Sequence, residues 1–316
     1  MRRRELLVAL ASLSAIPWLG RSAGSSLPWP APLRPGSRIA AVSPGTWWEE
    51  PQREEARLRA RLASQGWRLQ GAEEAAGRWR WFSAPDAQRR RHLEWALGAA
   101  EIDAVFCVAG GWGSARLLER GWRPPPQPRW LVGFSDASAL LLAWSAAGLG
   151  GAVHASPMAE GPAWERLADL LRGVPVAPLQ GEGWAGGTTS GPLVVTNLTV
   201  ATHLIGTRWL PSLRGAVLVL EDTGEAPYRI DRLLTHWRSA GLLSGLAGLG
   251  LGRFSWTPDD VLPGDLSMHE VLRERVLDLG IPVVADLPVG HGRPNMALPL
   301  GRLARLDGGR GLLELL

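Results

Sequence analysis

Short apolar runs alternate along this chain with longer stretches whose apolar residues recur every three or four positions. The run "RIAAVS" (38–43) predicts a buried strand, and "PQREEARLRARLASQG" (51–66) predicts a helix with Pro51 in its first turn, Leu58 and Leu62 on one face, and Gly66 as its stop. A second helix follows at 86–99, then a strand at "DAVFCVAG", a strand at 129–135, a helix at "DASALLLAWSAAG" (136–148) and a strand at 151–156. Strand and helix in alternation predict a parallel sheet covered by helices on both faces.

The stretch "GVPVAPLQGEGWAGGTTSGP" (173–192) is rich in Gly, Pro and Ser and reads as a connection between a first domain (38–172) and a second (193–316). In the second, a helix begins near Asn197, followed by a strand at 215–222 and a helix at 228–241. A strand ending at "GLGRFS", a helix at 268–280, a strand at 281–287 and a terminal hairpin about Gly308 and Gly309 complete the pattern. No repeat of 20 to 50 residues recurs, which excludes a solenoid.

Composition narrows the chemistry. The 34 Lys+Arg are all arginine. A phosphate loop ending in Gly-Lys-Ser/Thr and Schiff-base catalysis both need a lysine amine, so both are excluded. The arginines are interspersed with acids, as in "REEARLRARL", and form no basic stripe, which argues against nucleic acid as a partner. The single cysteine, Cys107, lies inside an apolar run, where it can form neither an intramolecular disulfide nor a structural zinc site and reads as a small core residue. No metal or cofactor is called for. The first residues, "MRRRELLVALASLSAIPWLG", place a basic start before an apolar stretch and resemble an export signal, of twin-arginine type at Arg3 and Arg4; residues 1–37 are read as this leader and a Pro-rich linker, and the chain as exported to the periplasm or cell envelope if the signal operates and cytoplasmic otherwise. Elsewhere no apolar run is long enough to span a bilayer.

The segment "AVFCVAGGWGSARLL" (104–118) raises the functional question. Its glycines, between a strand and a helix, fit three devices: a phosphate cradle, a plain tight turn, or a turn that lifts Ser114 to a helix N-terminus as a nucleophile. A nucleophilic serine needs a base and an orienting carboxylate at other strand ends. Of six histidines, His92, His236 and His269 fall in amphipathic helices and His203 in an apolar segment, which leaves His154 and His291. His291 stands between glycines in a loop after a strand, and Glu221 follows an apolar strand directly, with Asp222 and Glu225 close behind.

Four segments, "GGWGSARLL", "LVGFSDASAL", "LEDTGEAPYRIDRLLTHW" and "GHGRPNMALPLG", together resemble the LD-carboxypeptidases, a serine peptidase family that also contains microcin-immunity hydrolases. The resemblance runs from about Arg38 to the C-terminus. It implies a two-domain α/β fold, with a flavodoxin- or glutamine-amidotransferase-like parallel sandwich first and a swivelling, barrel-like domain second. It also implies a Ser–Glu–His triad, carried onto Ser114, Glu221 and His291, with the Ala115 N–H as an oxyanion donor and Gly111, Trp112, Asp136, His154 and Asn197 around the substrate. The expected reaction is removal of a terminal D-amino acid from a murein tetrapeptide; the alternatives are a family hydrolase acting on peptidyl-nucleotides, or a non-catalytic ligand-binding protein. Family members are commonly homodimers. Ala109, where an arginine is common, Trp112, where tyrosine is common, "HASP" for "HGP" and "VTN" for "GGN" put the substrate in question more than the reaction.

Overall fold

The computed structural model describes residues 27–316 apart from Arg120 and residues 258–261, so the leader-like segment lies outside the described residues. Two sheets organise the chain. Their strands are β1 (Arg38–Val42), β2 (Arg68–Gln70), β3 (Ala104–Cys107), β4 (Trp130–Gly133), β5 (Ala152–His154), β6 (Leu179–Gln180), β7 (Glu182–Ala185), β8 (Thr188–Asn197), β9 (Val217–Thr223), β10 (Gly248–Ser255), β11 (Val283–Ala285), β12 (Leu298–Pro299), β13 (Leu303–Asp307) and β14 (Leu312–Leu315). The helices are α1 (Pro51–Ala63), α2 (Asp86–Gly98), α3 (Ser114–Leu117), α4 (Ser138–Ala146), α5 (Pro162–Arg172), α6 (Leu198–Thr202), α7 (Pro227–Ser239) and α8 (Met268–Val276).

The first sheet runs β12-β5-β4-β3-β1-β2, parallel throughout except for β12, which returns from the far end of the chain to pair antiparallel with β5. Its parallel part has the order of a flavodoxin-like doubly wound sheet, in which functional groups gather at the carboxyl ends of the strands. The second sheet, β6-β14-β13-β8-β9-β10-β11-β7, is mixed and curls toward a barrel. The expected two-domain α/β architecture is thus present. The stretch 173–192 is more than a connection: β6, β7 and the start of β8 lie in it and build both margins of the second sheet. Glycine made it read as a loop, yet here glycines permit close strand approach. A Cβ on Gly183 would lie 2.3 Å from the Gly308 carbonyl oxygen.

Helix α4, "SALLLAWSA", explains how the sheets are joined. Seven of its nine residues, Ser138 through Trp144, are buried, so it has no polar face. A helix apolar all round must be covered all round. It packs on β4 and β5 of the first sheet and on β8 and α6 of the second. The Asn197 N–H reaches the Ser138 hydroxyl at 3.4 Å across this junction.

Leu141→Ala, at a fully buried site in this wedge, is expected to cost about 2–5 kcal/mol in unfolding free energy, whereas Leu303→Ala on the half-exposed β13 should cost under about 1 kcal/mol. Denaturant titration of the two variants checks this.

Candidate active site

β4 ends at Gly133, and the chain turns abruptly through Phe134 and Ser135 into a short 3-10 turn, Ser135–Ala137, that leads into α4. Ser135 has φ of 58°, a left-handed conformation that a residue with a Cβ adopts only when its surroundings impose it. The surroundings do impose it: a Cβ on Gly133 would sit 2.7 Å from the Ala137 Cβ, so the strand and the helix meet too closely for anything larger. A small-x-Ser-x-small strand-to-helix turn of this kind lifts a serine hydroxyl above the sheet edge.

His291 comes from the other sheet. It lies in the loop after β11, and the cis Arg293–Pro294 bond is close behind it. Its Nδ1 is 2.7 Å from Glu221 Oε2, and its backbone N–H donates to the same oxygen at 3.2 Å. Its Nε2 is 3.1 Å from Ser135 Oγ. Glu221 is fully buried on β9, and Gly290 lets the histidine loop descend onto it: φ there is +105°, and a Cβ would lie 2.7 Å from the Glu221 Cβ. Phe134 packs on the imidazole with ring centroids 4.4 Å apart. With the Glu221 carboxylate accepting at Nδ1, the remaining Nε2 lone pair faces the Ser135 hydroxyl.

Ser114, expected as the nucleophile, lies next to this turn with its hydroxyl bonded to Asp136. It is fully buried, and its hydroxyl donates to Asp136 Oδ2 at 2.6 Å. The Ser114 N–H donates to the same oxygen at 2.8 Å, and the Gly113 N–H to Asp136 Oδ1 at 3.1 Å. The serine hydroxyl within hydrogen-bond distance of His291 Nε2 is that of Ser135, while that of Ser114 is turned to Asp136. Asp136, expected near the substrate, is also buried, and its carboxylate instead clamps the Gly110–Gly113 loop against the Ser135 turn. Burial pushes its carboxyl up from the ordinary range, opposed by the Ser114 and Gly113 hydrogen bonds and by Arg89. The clamp brings Gly110 against the serine, since a Cβ there would be 3.4 Å from the Ser135 Cβ. Gly111, at φ +81°, is pressed against Thr46. Arg89 completes the scaffold from below, its buried guanidinium donating to the Ala84, Pro44 and Gly113 carbonyls and to Asp86.

Two other expected substrate contacts lie beneath the site. His154 is fully buried on β5, its Nε2 3.8 Å from Glu221 Oε1 and its ring edge-on to Phe134. It backs the carboxylate. Asn197 caps α6 through the Val200 N–H and donates to Asp222. Trp112 is 44% exposed on the rim, edge-on to His203, and remains free to meet a ligand; His203 is exposed too, contrary to its apolar neighbourhood in sequence. Cys107 is buried at the end of β3, where burial pushes its thiol pKa up. No cluster of three or more His, Cys, Asp or Glu among the described residues could hold a metal ion.

Comparison with known proteins gives the family. Residues 39–155 match the LD-carboxypeptidase N-terminal domain, and residues 190–306 match the LD-carboxypeptidase C-terminal domain. The chain belongs to the LD-carboxypeptidase family. A candidate carboxypeptidase of Synechocystis is 42% identical over 306 residues, covering 92% of this chain and all of that protein. The murein tetrapeptide carboxypeptidase of Pseudomonas aeruginosa is 34% identical over 254 residues, 74% of this chain and 81% of that one. Among solved structures, the microcin C7 self-immunity protein MccF superposes with a TM-score of 0.80 at 19% identity, covering 91% of this chain and 98% of that one. The muramoyltetrapeptide carboxypeptidase of Oxalobacter formigenes gives 0.76 at 24%, covering 88% and 98%. Both share the fold.

Two consequences can be measured. Gly290→Ala should separate His291 from Glu221 and lower kcat at least tenfold while the protein remains folded, checked by steady-state kinetics beside circular dichroism. Burial lowers the His154 pKa to about 4, Glu221 opposing and His291 reinforcing the shift. An unfolded chain takes up that proton near 6.5, the folded one only near 4, so the folded state loses stability as pH falls across this window, by about 3 kcal/mol in all. The wild-type unfolding free energy should show this acid slope, and His154→Gln should lack it.

Proposed function

We propose that the protein is a serine-type LD-carboxypeptidase that cleaves the amide bond before a terminal D-amino acid, releasing D-alanine from a murein tetrapeptide, with Ser135, His291 and Glu221 as its triad. The single observation that carries this reading is His291, bonded through Nδ1 to Glu221 at 2.7 Å and within 3.1 Å of the Ser135 hydroxyl through Nε2. That is the nucleophile–base–orienter arrangement of serine hydrolases, assembled from two sheets.

In this reading Ser135 Oγ attacks the carbonyl carbon while His291 Nε2 takes its proton. Glu221 holds the Nδ1–H tautomer and stabilises the imidazolium. The oxyanion receives the Asp136 N–H, since the residue after the nucleophile starts a helical turn, and an amide of the adjoining Gly110–Gly111 segment. The imidazolium then protonates the departing amine, the C–N bond breaks, and a water activated by the same histidine hydrolyses the acyl-enzyme. The matched Pseudomonas aeruginosa relative supports the murein substrate. The likeness to the immunity protein supports a second substrate for testing, a peptidyl-nucleotide, because the same acyl transfer would cleave it. The leader-like start would bring such an enzyme to the envelope, beside murein.

Mass spectrometry of tetrapeptide incubated with the protein should show loss of one D-alanine. Ser135→Ala and His291→Ala should each lower kcat by about three orders of magnitude or more, and the double variant should be scarcely worse than either single one. Ser114→Ala should retain turnover and lose instead about 1–3 kcal/mol of stability, having removed a buried hydrogen bond to Asp136. A Ser114→Ala protein that folds but is inert, beside an active Ser135→Ala protein, would contradict the assignment.

A further inference from the structure

His291 engages one oxygen of Glu221 and leaves the other. Oε2 accepts both the backbone N–H and the Nδ1–H of the histidine, while Oε1 has no hydrogen-bond partner. Close to that second oxygen stands His154, the last residue of β5, with no solvent exposure. Neither of its ring nitrogens has a hydrogen-bond partner. Its Nε2 lies 3.8 Å from Oε1, so a buried donor and a buried acceptor, both unsatisfied, face each other. Each is costly alone, and the cost is relieved if they meet.

His154 reaches the carboxylate from the sheet that carries the serine. In the parallel pairing of β4 with β5 it stands beside Gly133, two residues before Ser135, and on its other side it pairs with Leu298 of β12, the strand that follows the histidine loop. Phe134 is wedged between the two imidazoles, edge-on to His154 with centroids 5.2 Å apart and tilted over His291 at 4.4 Å. The neighbour of the serine, the base, the carboxylate and His154 thus form one packed unit. A carboxylate gripped at one oxygen can still turn about its own bond, and a donor at the second oxygen removes that freedom. That donor has to be neutral, because a cation at Oε1 would compete with the His291 imidazolium for the same charge. Burial, which lowers the His154 pKa to about 4, keeps it so; the titratable groups that face it are Glu221 from β9 and His291 from its loop. Asp222, next along β9, is turned instead to Asn197 and Thr199.

We propose that His154 is a positioning residue of the triad: as a neutral imidazole it donates its Nε2–H to Glu221 Oε1, so that the carboxylate is held between one histidine from each sheet. The inference rests on the Ser135–His291–Glu221 reading above. The 3.8 Å gap has to shorten by roughly 0.8 Å for an N–H···O bond of ordinary length, an adjustment of the kind by which catalytic contacts tighten when substrate binds. No proton passes through His154; it keeps its own throughout. Its effect is exerted on Glu221, whose fixed orientation keeps His291 Nε2 aimed at the Ser135 hydroxyl, and it sets the register between the sheet that supplies the serine and the sheet that supplies the base.

The tautomer is read on the unaltered protein, so this part of the test needs no variant to fold. Nitrogen NMR of the full-length chain with isotope-labelled histidine should show His154 protonated at Nε2 and bare at Nδ1 at neutral pH; the opposite tautomer, which turns a lone pair toward Oε1, overturns the proposal. The rate of covalent labelling by a fluorophosphonate then reports activation of the serine without any peptide. His154→Leu, which fills the space without a donor, should slow labelling about tenfold or more, and His154→Gln, which keeps an N–H, should recover most of that loss, with thermal unfolding confirming that both are folded. On tetrapeptide the leucine variant should lower kcat in the same proportion and leave KM within about twofold, as expected of a group that acts through Glu221. Labelling of His154→Leu at the wild-type rate, or an equal loss in the two variants, overturns the positioning role even if the tetrapeptide is cleaved. A labelling rate that depends on His154, without cleavage of tetrapeptide by the unaltered protein, would leave the role standing and overturn the carboxypeptidase reading instead.

Discussion

The site depends on one buried carboxylate. Glu221 has no solvent exposure, and a charge there is tolerable only if its oxygens are engaged; one of them receives both the backbone N–H and the imidazole Nδ1 of His291. Those two bonds fix the ring in position and tautomer before any substrate arrives. The other oxygen, Oε1, has no hydrogen-bond partner and lies 3.8 Å from Nε2 of the buried His154, whose pKa burial lowers to about 4. The glycines at 252 and 290 allow this approach, because a side chain at 290 would collide with Glu221 and one at 252 with the Val289 carbonyl of the same loop. A base held from beneath in this way can meet a nucleophile delivered by the other sheet, provided the two sheets keep their spacing. Helix α4 maintains that spacing, with apolar residues turned toward both sheets.

At the Ser135 turn, the left-handed backbone is held by a polar scaffold. Asp136 gathers three donors from Gly113 and Ser114, and Arg89 joins three separate carbonyls below the loops. Their burial makes both groups costly to leave unpaired, so loss of either should loosen the Gly110–Gly113 loop as a unit. Ser114 belongs to this scaffold through its N–H and its hydroxyl.

Much of the fold was legible because its signals are local. Alternating apolar runs and amphipathic stretches marked the parallel sheet, and Pro51, Gly66 and the Gly308–Gly309 turn marked element ends that recur in the structure. The Gly-rich 173–192 stretch misled because short strands in a closely packed sheet carry the same glycines as loops. Glu221 and His291 were found from their positions after strands, and they meet in the structure. For the serine, two glycine-bearing strand-to-helix turns, at 110–114 and 133–137, look alike in sequence, and the sequence reading took the first while the hydroxyl near His291 is on the second. What separates them is whether the serine itself takes the left-handed conformation with small residues two positions to either side, as Ser135 does in "GFSDA", or merely starts a helix, as Ser114 does. His154 and Asn197 could not be placed by pattern at all, since a polar residue backing a carboxylate or capping a buried helix carries the same letters as one facing a ligand.

The central claim is that the hydroxyl activated by His291 belongs to Ser135. The most direct measurement is covalent labelling of the intact protein with a fluorophosphonate, followed by peptide mapping of the modified residue. The account predicts a single adduct on Ser135 that disappears in His291→Ala and persists in Ser114→Ala. An adduct on Ser114, or undiminished labelling of a Ser135→Ala protein, would contradict it.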